Sequence, residues 1–280
     1  MFKGDLRKKA IANLEDAQEQ HKSASGKVEE KSIILYGLRQ KCSEQLIQGV
    51  EDYINTLANS PKEFEKSFIE FRAEIAEFQD LVRELQEEYE RTHYKKGMAA
   101  GVATGAGVAV LAPTAAMAVA TTFGTASTGA AISTLSGAAA SKAALAWIGG
   151  GALAKGGAGV AGGKALLALA GPVGWGIGAT ALVGGGLMAR RKNVKIAEKA
   201  QAEEKEVQAR TSELNVILNA VEKTIVLTSD HYEGTQSILE QLTESAPNDY
   251  TQFDQDQRNK LGALINHINS LSKLINKNVE

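Results

Sequence analysis

The residues with the best claim to chemistry lie in a glycine-rich stretch near the middle of the chain. Gly157-Ala158-Gly159-Val160-Ala161-Gly162 matches G-x-G-x-x-G. In a dinucleotide-binding βαβ unit that spacing lets the backbone approach a pyrophosphate at a helix N-terminus. The same chemistry needs a strand leading in and an acid about 20 residues further on. No strand pattern precedes Gly157, and the nearest downstream acid is Glu198. Ala158 to Ala165 approaches a phosphate-binding P-loop only loosely. Ala158 replaces its first glycine, and Ala165 replaces the hydroxyl that would hold magnesium. The four histidines, His21, His93, His231 and His267, are widely scattered, and none has a His or Cys at metal-ligand spacing. His93, beside Lys95 at the edge of the glycine-rich block, could sense pH, but it reads first as an ordinary interfacial histidine. Cys42 is the single cysteine, which rules out an internal disulfide, and it reads as a small buried hydrophobe. No nucleophile–base pair emerges. The sequence predicts no enzyme, no cofactor, no metal site and no small-molecule substrate, and a net charge of only -2 gives no bulk attraction for nucleic acid.

The glycines have another use. From Gly97 to Ala189 there is no acidic residue, and Lys142, Lys155 and Lys164 are the only charges. This third of the chain holds 22 of the 28 glycines and is otherwise filled with Ala, Val and Leu. Cations bracket it: Lys95 and Lys96 before, Arg190, Arg191 and Lys192 after. A long acid-free run edged by cations is the pattern of a membrane segment, and the bracketing residues are its expected anchors. Two positive edges place both ends on one side, so the number of crossings is expected to be even, two or four. The two strongest spans are Met98 to Ala120 and Ala165 to Ala189, each longer than the roughly 20 residues a crossing needs. The middle, 121–164, is small and mildly polar, beginning with Thr121 and Thr122.

These spans are marginal. The first has only Val102, Val108, Val110, Leu111 and Val119 as strongly apolar residues, each worth roughly -0.3 to -0.6 kcal/mol. One lysine at mid-bilayer costs roughly 2.5–3.5 kcal/mol. Such a segment can stay packed on a soluble bundle and insert later, so the expected location is membrane-associated with a soluble state before insertion. The N-terminus carries no apolar run of the signal-peptide kind. Within the block, Gly97, Gly101 and Gly105 are spaced by four, as are Gly159–Gly163 and Gly174–Gly178. On a helix this spacing makes a flat groove, which in lipid allows close helix contact.

The elements on either side are amphipathic helices. After Ser60-Pro61-Lys62-Glu63, which reads as a capping box, apolar residues recur at Phe64, Phe68, Phe71, Ile75, Phe78, Leu81, Leu85 and Tyr89. A helix over 5–58, with a kink allowed, carries Leu35, Leu38, Cys42, Leu46, Val50, Tyr53 and Leu57. Upstream its stripe thins to Leu6, Ile11 and Leu14. A third helix covers 190–245 and ends at the turn Pro247-Asn248-Asp249. A fourth covers about 253–277, with Leu261, Leu264, Ile265, Ile268, Leu271, Leu274 and Ile275. Four narrow stripes predict an all-α fold, an elongated bundle of long amphipathic helices with a central membrane-inserting Gly/Ala-rich hairpin region. The organisation is 1–96 and 190–280 as bundle helices, and 97–189 as the inserting region.

This order, with an apolar block set inside a long helical bundle, resembles the helical pore-forming cytolysins, the family of haemolysin E and the Bacillus haemolysin BL and non-haemolytic enterotoxin components. The resemblance is one of architecture over the whole length. The run Ala144 to Ala154 also looks like Gly-rich membrane regions of various bacterial proteins. The resemblance implies a pore-forming or membrane-permeabilising toxin or effector, partnered by a lipid bilayer and by copies of itself or related subunits. The second expectation is a resident membrane adaptor or scaffold, for example in membrane remodelling.

Overall fold

The computed structural model describes residues 3–97, 113–123 and 189–279. Among these the fold is all-α, 92% helical with no β-strand. Helix α1 (Lys3–Lys41) passes through a π-helical turn (Cys42–Leu46) into α2 (Ile47–Thr56). Helix α3 (Lys62–Gly97) folds back along it. Helix α4 (Pro113–Phe123) is short. Helix α5 (Ala189–Ser245), about 85 Å long at 1.5 Å per residue, runs the length of the bundle. A 3₁₀ turn (Tyr250–Gln252) leads into α6 (Gln255–Ile275).

Cross-contacts fix the directions. Arg7 donates to Asn193, His21 meets Thr211, and Lys31 pairs with Glu222, so α1 and α5 run parallel. Tyr36 packs on Phe78, Gln79 donates to the Ser43 carbonyl, and Arg72 pairs with Glu51, so α3 is antiparallel to α1–α2. Chain reversals close one end: the Ala58 amide donates to the Asn248 carbonyl, and the Tyr250 amide to the Ala58 carbonyl. Asn59 sits there at φ 53°, and its amide donates to Asp249. With hydrogen bonds from Thr251 as well as Asn59, the Asp249 carboxyl is held below the usual carboxylate range. At the other end, α3 leaves for the glycine-rich block and α5 returns from it.

The α3 stripe forms as its spacing predicts: Phe64, Phe68, Phe71, Ile75, Phe78, Leu81 and Leu85 are all buried. Its start differs from the expected capping box. The Ser60 hydroxyl donates to the Glu65 carboxylate, and the Pro61 carbonyl accepts the first helical amides, from Phe64 and Glu65. The capping box that does form is at α6, where Asp254 and Gln257 exchange side-chain and backbone bonds. Upstream in α1 the seam is built from small residues: Ala10, Leu14 and Ala17 share a cluster with Ala197, Ala200 and Val207. Leu6, expected on this stripe, is exposed, and Ile11 is half-buried. Alanine lets two backbones come close without a bulky signature in the sequence.

Candidate functional site

The one described portion of the apolar block outside its edges is α4, and its seat is the candidate site. Proline suits the first helical position, where the missing amide costs nothing and φ is already set. From Met117 to Phe123 every side chain is at most 5% exposed. A helix apolar on all sides must be enclosed, and residues 117–123 of this one are. Met117, Ala118 and Ala120 belong to the cluster of Tyr36, Phe78, Leu81 and Leu85. Val119 and Phe123 belong to that of Val28, Leu35, Leu214, Val221 and Val279.

Thr121 and Thr122, which open the expected polar middle of the block, lie inside this seat. Thr121 Oγ1 returns its hydroxyl to the Met117 carbonyl at 2.9 Å, which is how a threonine is buried in a helix. Thr122 Oγ1 has no partner among the described residues. The described helix covers only 113–120 of the expected span from Met98 to Ala120, and it continues to Phe123. At 11 residues it is about 16 Å long, and no helix among the described residues is long and apolar enough to cross a membrane.

The end of α4 is held by a residue that the apolar pattern passes over. Arg39 is fully buried, whereas Leu38, expected on the stripe, is half-buried. Its guanidinium donates to the Thr121 carbonyl at 3.0 Å, to the Leu274 carbonyl at 3.1 Å, and to the Lys277 carbonyl. Thr121 is in the last turn of α4 and Leu274 in the last turn of α6. Two helix C-termini, each carrying about half a negative charge, thus converge on one cation. Burial pulls the guanidinium down to about 10, so Arg39 stays charged at neutral pH. The Cys42 thiol is pushed up to about 12 by burial and stays neutral there, consistent with its role as a buried hydrophobe. Arg39 Nε has no partner among the described residues. Beyond α6 the chain crosses this point: the Val279 amide donates to the Thr122 carbonyl at 2.9 Å, and its side chain is buried.

The histidines are less scattered in space than in sequence. His231 of α5 and His267 of α6 bring their Nδ1 atoms to 3.0 Å with the rings edge to face. Gly234 lies under the His267 ring, and a methyl group there would run into it. The 36-residue separation left no spacing signal. The pair makes no metal cluster: among the described residues no group of three or more His, Cys, Asp or Glu converges.

One Nδ1 must donate and the other accept, so the contact fails when both rings carry two protons. Burial, with His231 adding to it, lowers the His267 pKa below 6.5. The unfolded chain therefore takes up that proton at higher pH than the folded one. The stability this withholds is present above pH 6.5 and is lost as the pH falls below it, levelling off once the folded ring also titrates. The expected result is a drop in melting temperature of about 1–3 °C between roughly pH 7.5 and 5.5. The drop should be smaller in His267→Gln. An equal drop in both proteins would remove the pair from the account.

Of the residues that the sequence singles out, Gly97 is the last residue of α3, Lys95 and Lys96 lie in its final turn, and Arg190, Arg191 and Lys192 lie in the first turn of α5. Gly101, Gly105, Gly159, Gly163, Gly174 and Gly178 lie outside the described residues, as do Gly157–Gly162 and the second expected span up to residue 188. Comparison with protein-family models, with curated proteins and with solved structures finds no match for this chain.

Proposed function

We propose that this is a membrane-inserting, oligomerising protein that permeabilises bilayers, with 97–189 as the part that enters. The observation that carries the reading is the housing of α4. A piece of an acid-free, cation-edged block sits enclosed by the charged helices on either side of it. That is what a marginal segment requires while no bilayer is present. Direction supports it too: α3 delivers the chain to the block and α5 collects it at the same end of the bundle. Lys95, Lys96, Arg190, Arg191 and Lys192 then sit at that end, where they favour anionic headgroups. As one helix the 93 residues would reach about 140 Å, enough for up to four crossings of a core roughly 30 Å thick. So few thin, glycine-rich helices enclose little space, so conduction requires several chains.

The experiment is dye release from anionic and neutral vesicles by the full chain and by a form with 97–189 replaced by a short linker. Release is expected to rise more steeply than linearly with protein concentration and to vanish in the deletion. Gly101→Ile should reduce cross-linked oligomers in vesicles, because a branched side chain stands where backbones would meet. Full-length protein that binds vesicles without leakage would replace the pore reading with the adaptor reading.

A further inference from the structure

The segment after α6 makes more contacts than a frayed helix end would. Asn276 Nδ2 donates to the Glu74 backbone carbonyl at 2.9 Å and to the Glu74 carboxylate at 2.7 Å, which ties the segment to α3. The Lys277 amide closes on Leu274 at 3.3 Å, while the Lys277 carbonyl accepts from Arg39 of α1. Two residues on, the Val279 amide reaches the Thr122 carbonyl, and the Val279 side chain joins the cluster that contains Phe123 and Val119. Through Asn276, Lys277 and Val279 the segment therefore touches α3, α1 and α4, and it covers the C-terminal end of α4.

We propose that Asn276–Val279 is a releasable strap that, with Arg39, holds α4 in its seat, so that α4 comes free when the strap opens while the rest of the bundle stays folded. This rests on the reading that the apolar block leaves the bundle. The energetics favour it as the weak point. Helices α1, α3, α5 and α6 are joined along continuous apolar stripes, so separating any of them exposes many large side chains at once. The strap is held by a few hydrogen bonds and one buried valine, which places it at the low-stability end of the fold. Opening it removes the donor on the Thr122 carbonyl, one of the three acceptors around Arg39, and the Val279 side chain from beside Phe123. Each of those losses falls on α4.

The test is amide hydrogen exchange on the full chain without lipid, read for residues 117–123 against α2, residues 64–85 of α3, and α6. Val279→Asp puts a carboxylate into an apolar cluster and should expel the strap. Exchange over 117–123 is expected to accelerate at least about tenfold while the reference helices stay protected. Asn276→Ala, which removes only the tie to Glu74, should give the same selective pattern more weakly, and it serves if Val279→Asp does not fold. Unchanged exchange over 117–123 would overturn the proposal. So would acceleration of equal size in every helix, which would make the strap merely part of global stability. Because no lipid is involved, a vesicle experiment that shows binding without leakage sinks the pore reading and leaves the strap standing.

Discussion

Phe71→Ala lowers the unfolding free energy by about 3–5 kcal/mol, close to the limit for a single truncation in a core. Phe71 is fully buried on α3, in a cluster drawing on α2 through Val50 and Tyr53 and on α6 through Leu264 and Ile268. Removing the ring leaves a void in the centre of a long bundle. Long helices cannot collapse into it locally without moving along their whole length, so little of the cavity will refill. Ile69, two residues away, is 65% exposed and makes the internal control: Ile69→Ala should change stability by no more than about 0.5 kcal/mol. The check is urea unfolding, where Phe71→Ala should shift the midpoint without changing the slope. Similar midpoints for the two variants would mean that the α3 stripe is not the centre of the fold.

That stripe was legible because large apolar residues at steps of three and four leave one geometric solution. Where the same packing is made from small or polar residues, the pattern fades. Ala10, Ala17 and Ala24 form the α1 seam, yet alanine is common on every helix face, and the larger apolar residues nearby, Leu6 and Ile11, are exposed and half-buried. Arg39 leaves no signal in the sequence for the opposite reason. A charged residue beside Leu38 reads as the solvated flank, and only two converging helix ends make its burial tolerable. The His231–His267 contact depends on how far α6 slides along α5, which is set by the turn over 246–254 rather than by any local spacing.

The apolar block was legible as composition: no acid, many glycines, cations at both edges. Composition does not say where such a chain rests. Thr121 and Thr122 read as the start of a polar middle, but the Thr121 hydroxyl bonds back to its own helix and so loses most of its polarity. Pro113 is the local signal that a helix begins there, because proline is welcome only in the first turn.

Arg39→Met is expected to destabilise the protein by about 2–4 kcal/mol, and the sign needs argument, because exchanging a buried ion for an apolar side chain is often neutral or favourable. That outcome arises when the partners are side chains that can be replaced together. Here the partners are backbone carbonyls, which remain. The Leu274 carbonyl keeps the amides of Asn276 and Lys277, and the Lys277 carbonyl belongs to a half-buried contact that water can reach. The Thr121 carbonyl, inside the seat, loses its donor, at about 1–3 kcal/mol. The ends of α4 and α6 also lose the charge between them, worth about 0.3–1 kcal/mol each and more when shielded from water. Against this stands the relief of no longer dehydrating a guanidinium whose Nε has no partner among the described residues. The losses are larger, since they fall on groups that cannot move to water without unseating α4. Arg39→Lys separates the two contributions: it keeps the charge between the helix ends but cannot present the planar fork that reaches three carbonyls, so it should recover only part of the loss. Midpoints in urea should rank wild type above Arg39→Lys and Arg39→Lys above Arg39→Met. A methionine variant more stable than wild type would show that dehydrating the guanidinium outweighs what it binds, and that Arg39 is tolerated at the end of α4 rather than holding it.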